Sequence, residues 1–138
     1  MEEALYDTSV LIELQKGGAK EVKGYTTILN IVEYPKALRI AGLRVIYPDA
    51  RDYALALKIS KDLYKSGKPV PVVDIVLAAV AINRGLRLLT EDRHFEYIKE
   101  IRKDLLLEIA PSPRDARLGK LRRKETELAE NQQRGIRA

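Results

Sequence analysis

Four acidic side chains in this sequence stand where a folded chain could bring them together: Asp7, Glu33, Asp74 and Asp92. Each one either follows a short apolar run or lies in the first turns of a helical pattern. In parallel α/β domains, the carboxyl ends of the strands and the starts of the following helices meet at one edge of the sheet. We therefore expect the four carboxylates to form a single cluster at that edge.

A cluster of ionised carboxylates needs a compensating cation, because like charges close together raise one another's pKa. Mg²⁺ and Mn²⁺ prefer oxygen ligands, retain several waters and commonly lie between carboxylates and substrate phosphates. Such an ion lowers the pKa of a water and orients it for in-line attack on a phosphodiester. The acids would then hold the metal and would not act as nucleophiles themselves.

The amino-acid composition excludes several other kinds of catalytic and metal-binding site. The chain has no cysteine, which excludes disulfides, thiolate nucleophiles and Cys-type zinc sites. Its single histidine, His94, leaves little material for a histidine-rich metal site or a Ser-His-Asp triad. Polar chemistry in this chain must therefore come mainly from carboxylates and hydroxyls.

Taken one at a time, the same acids also have structural interpretations. Asp7 precedes a helical pattern, where Asp commonly serves as the N-cap. Asn30 and Glu33 have the spacing of a capping box at the start of a helix. Asp74 lies at the start of a helix, where a carboxylate is favoured by the free amides and the helix dipole. The alternatives for these residues are a metal-binding cluster or a set of helix caps.

The elements that would position the acids alternate between strands and helices. Apolar patterning predicts strands at Glu3–Tyr6, Val22–Thr26, Leu86–Leu89 and Leu105–Ile109. It predicts helices after Asp7, from Asn30, from residue 50 to Gly67, from Asp74 to Gly85, and over Ile98–Arg102. Arg44–Tyr47 is interpreted as a linker. This β-α order with short connections predicts an α/β fold with a mainly parallel sheet, flanked by helices in right-handed crossovers.

Charge divides the chain into two parts. Residues 112–138 contain eight Lys or Arg and four acids, a net charge of +4, whereas residues 1–111 contain seventeen and sixteen, a net of +1. We predict a single domain over 1–111 and a basic tail over 112–138 that is helical or frayed. The tail would contact RNA or an acidic partner, or form a solvated helix.

No membrane or secretory segment is expected. The N-terminus is acidic, unlike a signal peptide, and no apolar run approaches the ~20 residues needed to span a bilayer. These features predict a soluble, cytoplasmic protein.

From about Leu5 to Ala110 the sequence resembles a PIN domain, and its small size resembles the toxin nucleases of type II toxin–antitoxin pairs, the VapC-like family. The matching motifs are YDTSVLIEL with Asp7, ILNIVEYPKAL with Glu33, VVDIVLAAVAINRG with Asp74, and LLTEDRHF with Asp92. Each motif is short, but their order and spacing together are specific. The resemblance implies a three-layer α/β/α sandwich.

The resemblance also implies a function. It predicts a Mg²⁺- or Mn²⁺-dependent endoribonuclease in which the four acids bind the metal and hydroxyls support them, here Thr8 or Ser9 and Thr90. Family members usually form homodimers, and a small antitoxin covers the acidic site. The tail after Pro113 departs from the compact toxin pattern.

Other functions remain alternatives. One is a PIN nuclease of RNA maturation, although the absence of cysteine argues against the zinc-ribbon type. Another is a catalytically silent PIN-like module that binds RNA or a protein. A phosphatase of the haloacid dehalogenase kind also places Asp after its first strand, but it requires a second Asp two residues later, where this chain has Ser9.

Overall fold

The computed structural model describes residues 3–18 and 21–111. Five strands lie at β1 (Ala4–Tyr6), β2 (Glu21–Thr27), β3 (Ala41–Ile46), β4 (Arg87–Thr90) and β5 (Leu107–Ile109). The helices are α1 (Thr8–Lys16), α2 (Ile28–Glu33), a 3-10 helix (Pro35–Arg39), α3 (Ala50–Lys65), α4 (Val72–Arg84) and α5 (Phe95–Ile101). The predicted basic tail, 112–138, lies outside the described residues.

The five strands form one sheet in the order β3-β2-β1-β4-β5, and every neighbouring pair is parallel. The central strand β1 pairs with β2 on one side and with β4 on the other, so that Leu5 lies opposite both Tyr25 and Leu88. The prediction of an α/β fold with a mainly parallel sheet is confirmed.

Two hydrophobic clusters cover the two faces of this sheet. One contains Leu5 and Leu88 and is closed by α3, α4 and α5; its centre is the apolar helix α4, in which Ile75 to Ala81 are all buried. The other contains Leu11 and Ile31 and is closed by α1, α2 and the 3-10 helix. Two helical layers on one sheet make the three-layer α/β/α sandwich that was expected.

Three local predictions were wrong. Of the segment interpreted as a linker, Arg44–Tyr47, all but Tyr47 belongs to the edge strand β3, Ala41–Ile46. Helix α4 begins at Val72 and not at Asp74, because Pro71 can precede a helix without losing an amide bond. The predicted capping box of Asn30 and Glu33 is absent. Instead, the hydroxyl of Thr27 caps α2, which places Asn30 inside that helix and Glu33 at its last residue.

The strand order reverses direction between β1 and β4. From β1 the chain proceeds outward to β2 and β3 and then returns to the opposite side of β1 to form β4. In open α/β sheets, a crevice forms at such a switch point, outside the carboxyl ends of the strands. Asp7 directly follows β1, and Asp92 follows β4 by two residues. None of the helices in the described ranges has the length and apolar content to cross a membrane.

Candidate active site

Asp7 is the most enclosed of the four acids. It is the N-cap of α1, and its side chain is held by three donors: the Thr8 amide at 2.8 Å, the Ser9 hydroxyl at 3.2 Å and the Thr90 hydroxyl at 2.7 Å. Its side chain is buried, and this burial raises the pKa of the carboxyl, although the three hydrogen bonds oppose the shift. The capping role and a place in the acidic cluster are thus compatible, because the same carboxylate serves both.

Thr90 connects the loops that follow the two central strands. Its fully buried hydroxyl donates to Asp7 Oδ2 and accepts the Asp92 amide at 2.9 Å. Ser9 makes a second connection, since its hydroxyl accepts the Glu91 amide at 3.1 Å. These bonds fix the loop carrying Asp92 against the start of α1.

Asp74 approaches from the helical layer formed by α4. Its pKa is raised to about 7, first by burial and then by the negative charges of Asp7, Asp92 and Glu33, in that order. The charge of His94 acts in the opposite direction. No hydrogen-bond donor in the described part of the chain contributes to the pKa of this carboxyl. Asp74 is therefore a half-buried acid among three other acids.

Glu33 is connected to the other acids by a series of hydrogen bonds between polar side chains. The Thr8 hydroxyl donates to Glu33 Oε1 at 2.9 Å, and Thr8 in turn accepts a hydrogen bond from Asn30 Nδ2 at 2.9 Å. The Thr27 hydroxyl donates to Asn30 Oδ1 at 2.6 Å. Because Thr8 directly follows Asp7, these hydrogen bonds hold Glu33 near the other acids.

His94 lies at the rim of the cluster and was not predicted as part of it. Its amide donates to Asp92 Oδ1 at 2.9 Å, and its Nδ1 lies 2.9 Å from Oδ1 and 3.0 Å from Oδ2 of the same carboxylate. One possible metal ligand atom from each of Asp74, Asp92 and His94 lies within 4.8 Å of the other two. The signal in the sequence was the position of the only histidine, two residues after Asp92.

The structure thus brings Asp7, Asp92 and Glu33 near enough to Asp74 to raise its pKa, although among the described residues only Asp74, Asp92 and His94 place ligand atoms within 4.8 Å of one another. A comparison with protein families gives a match to the PIN domain over residues 31–101, a range that contains Glu33, Asp74 and Asp92. The chain belongs to the PIN domain family. No match was found among curated proteins.

Solved structures share this PIN fold. A DNA-bound VapBC from Salmonella typhimurium is 20% identical with a TM-score of 0.62, covering 79% of this chain and 98% of that one. VapBC-5 from Mycobacterium tuberculosis is 21% identical with a TM-score of 0.59, covering 80% and 99%. VapBC2 from Rickettsia felis, bound to a promoter DNA fragment, is 16% identical with a TM-score of 0.60, covering 77% and 97%. At these identities the likeness concerns the fold of the PIN domain.

Proposed function

We propose that this PIN domain protein is a Mg²⁺- or Mn²⁺-dependent endoribonuclease and the toxin of a toxin–antitoxin pair, acting in the cytoplasm. The observation that carries the proposal is the convergence of the acids: Asp7, Asp92 and Glu33 all act on the half-buried carboxyl of Asp74 and, together with its burial, raise its pKa to about 7. A half-buried carboxylate beside other carboxylates is stabilised when a cation arrives, because the cation compensates both its lost hydration and the repulsion.

The donor set suits a hard divalent cation. Asp7, Glu33, Asp74 and Asp92 would hold it, all through oxygen atoms of the kind that Mg²⁺ and Mn²⁺ prefer. Asp7 is already oriented by its three hydrogen bonds and Glu33 by Thr8, so little side-chain entropy would be lost on binding. When bound, the ion would supply charge neutralisation at a phosphodiester and would lower the pKa of the attacking water.

The residues around the acids have supporting roles in this proposal. Thr90 keeps Asp7 in place and fixes the amide of Asp92, so that the two acids are held near each other. Thr8 joins the first turn of α1 to Glu33. Ionised Asp74 would be required, which demands loss of its proton as the cation binds. The protein contributes positioning and negative charge, and water is the nucleophile.

Cleavage of RNA tests the function directly. The full-length protein is expected to cleave single-stranded RNA in Mn²⁺ or Mg²⁺ but not in EDTA. Asp7→Asn and Asp92→Asn are expected to abolish cleavage, because each removes a negative charge from the set. Asp62→Asn, the same change on α3 away from these acids, is the matched control and should retain full activity. Metal-independent cleavage, or full activity in both site variants, would contradict the proposal.

The toxin assignment adds a protein partner. The solved structures with this fold include VapBC complexes, described as toxin–antitoxin systems in the case of VapBC-5. We expect a small antitoxin to cover the acidic crevice and to place a basic side chain against its carboxylates. Expression of the wild-type chain alone should arrest growth, whereas Asp7→Asn should not. Co-expression of the product of a small adjacent gene should relieve the arrest, and growth unaffected by the wild-type chain would contradict the toxin assignment.

A homodimer is the expected assembly. Helix α3 exposes large apolar side chains on one stripe, Tyr53 at 49%, Leu57 at 58% and Tyr64 at 90% exposure, and Val72 at the start of α4 is 74% exposed. Tyr53, Leu57 and Val72 line a single shallow depression. A contiguous apolar face of this kind is typical of an interface. We propose that two copies pack through this α3–α4 face.

A further inference from the structure

His94 offers the acidic crevice a ligand of a different chemical kind. It is the only histidine of the chain, and its ring is 49% exposed at the rim of the site. Two contacts hold it beside Asp92, one from its amide and one from Nδ1. Both the backbone and the ring of His94 are therefore held against the Asp92 carboxylate, and the half-exposed ring stays at the rim of the site.

The distances fit a shared cation. Ligand atoms of Asp74, Asp92 and His94 lie within 4.8 Å of one another. Neighbouring ligands of an octahedral ion with bonds of about 2 Å lie about 3–4 Å apart, so the three ligand atoms are near the spacing that a shared ion requires. Both carboxylates in this triangle belong to the proposed metal set, whereas the nitrogen does not.

We propose that His94 is a nitrogen ligand of this site and makes it select Mn²⁺ over Mg²⁺. This inference rests on the proposed metal-dependent function and adds the identity of the ion. Mn²⁺ is the weakest binder of the divalent first-row transition metals and shares with Mg²⁺ a preference for oxygen. Mg²⁺ is smaller and demands a near-ideal octahedron of oxygen atoms, so a single imidazole nitrogen in the set disfavours Mg²⁺ more than Mn²⁺. An all-carboxylate set would discriminate less between the two ions.

Calorimetric titration of Mn²⁺ and Mg²⁺ into the full-length protein separates the ligand role from a hydrogen-bonding role. His94→Ala is expected to weaken Mn²⁺ binding by about tenfold or more, comparable with the loss of other groups that support metal sites. Mg²⁺ binding should change less than about twofold, so the ratio of the two affinities falls. Arg93→Ala, which removes a neighbouring exposed charge without removing a ligand, is the control and should preserve the ratio.

Pulsed electron paramagnetic resonance of bound Mn²⁺ provides a readout that does not depend on activity. The wild type should show coupling of the ion to an imidazole nitrogen, and His94→Ala should lose it. His94→Gln keeps a hydrogen-bonding group near Asp92 but has no imidazole. If His94→Gln restores the wild-type affinity ratio, or if the wild type shows no nitrogen coupling, His94 acts by orienting Asp92 and the inference is overturned.

The titrations and the resonance spectra together distinguish this inference from the proposed function. Mn²⁺ binding that is lost in Asp92→Asn but shows no nitrogen coupling removes the role of His94 and leaves the metal-dependent nuclease intact. Absence of any Asp92-dependent binding of either ion would overturn the metal site itself, and the role of His94 with it.

Discussion

The hydroxyl of Thr90 donates a 2.7 Å hydrogen bond to Oδ2 of Asp7, joining two residues that are 83 positions apart in sequence. The contact exists because β1 and β4 are neighbours in the sheet, with Tyr6 opposite Leu89. This hydrogen bond holds the first turn of α1 against the loop that follows β4. The carboxylate of Asp7 and the backbone amide of Asp92 are therefore positioned by one buried hydroxyl.

Thr90→Val, which keeps the shape of the side chain but removes its hydroxyl, tests this contact. The change leaves the buried Asp7 carboxylate without its shortest hydrogen bond and the Asp92 amide without an acceptor. We expect a loss of about 1–3 kcal/mol in the free energy of unfolding, measured in urea. RNA cleavage in Mn²⁺ should fall by about a hundredfold, since the acids lose their alignment. Thr90→Ser retains the hydroxyl and should stay close to wild type; equal activity in the two variants would refute the positioning role.

Thr8→Val tests the separate chain of contacts that reaches Glu33. It removes the donor to Glu33 Oε1 and the acceptor of Asn30 Nδ2. The affinity for Mn²⁺, measured by calorimetry, should fall by about tenfold, as is common when a group that orients a metal ligand is lost. Thr8→Ser is the matched variant and should bind as the wild type does. If both variants bind Mn²⁺ equally, Glu33 is oriented by other means.

The sequence alone predicted the adjacent strands β1 and β4 and the position of an acid after each of them. Asp7, Thr90 and Asp92 follow from the rule that side chains at the carboxyl ends of adjacent parallel strands converge. Helix α4 also followed from the sequence, since a long apolar run before a glycine predicts a buried helix, and Gly85, with a φ of 63°, ends it as predicted.

The hydrogen bonds that connect Thr27, Asn30 and Thr8 to Glu33 could not be predicted from the sequence. Both Thr27 and Asn30 can cap a helix, and only tertiary packing decides between them. In the fold, Asn30 is fully buried and its side chain is used between Thr27 and Thr8. Strand β3 was missed because it lies at the sheet edge, where it has no fully buried residue and no regular apolar alternation.

The raised pKa of Asp74 predicts an unusual dependence of stability on pH in the metal-free protein. Its ordinary value is 3.8 and its folded value is about 7. Between these values the folded chain holds a proton that the unfolded chain has released, so the free energy of unfolding falls as pH rises through this window. Burial shifts the pKa of Asp7 in the same direction. The metal-free protein should therefore be more stable at pH 5 than at pH 8.

Urea unfolding in EDTA at pH 5 and pH 8 measures this effect. Because Asp74 is only half-buried, solvent screening limits its contribution, and we expect about 1–2 kcal/mol of the difference to disappear in Asp74→Asn. Asp62→Asn, on α3, should keep the wild-type difference. The lowered pKa of Asp52 does not interfere, because its contribution is lost only as pH falls below this window. Wild-type stability that is the same at both pH values would show that folding does not raise the pKa of Asp74.

The α3–α4 face leads to a prediction about assembly. Leu57 is 58% exposed in the depression shared with Tyr53 and Val72. A charge placed there would be desolvated by a second copy at a cost of several kcal/mol, which exceeds what a small interface can lose. Leu57→Asp should therefore convert a dimer into a monomer in light scattering coupled to size-exclusion chromatography.

Lys58→Asp controls for the introduced carboxylate. It places the same side chain on the next residue of α3, about 100° around the helix and outside the depression. This variant should remain dimeric and should unfold with the same midpoint as the wild type. Both variants should retain the acidic crevice, because α3 contributes none of the four acids. A wild type that is monomeric at all concentrations, or a Leu57→Asp variant that is still dimeric, would exclude this face as the interface.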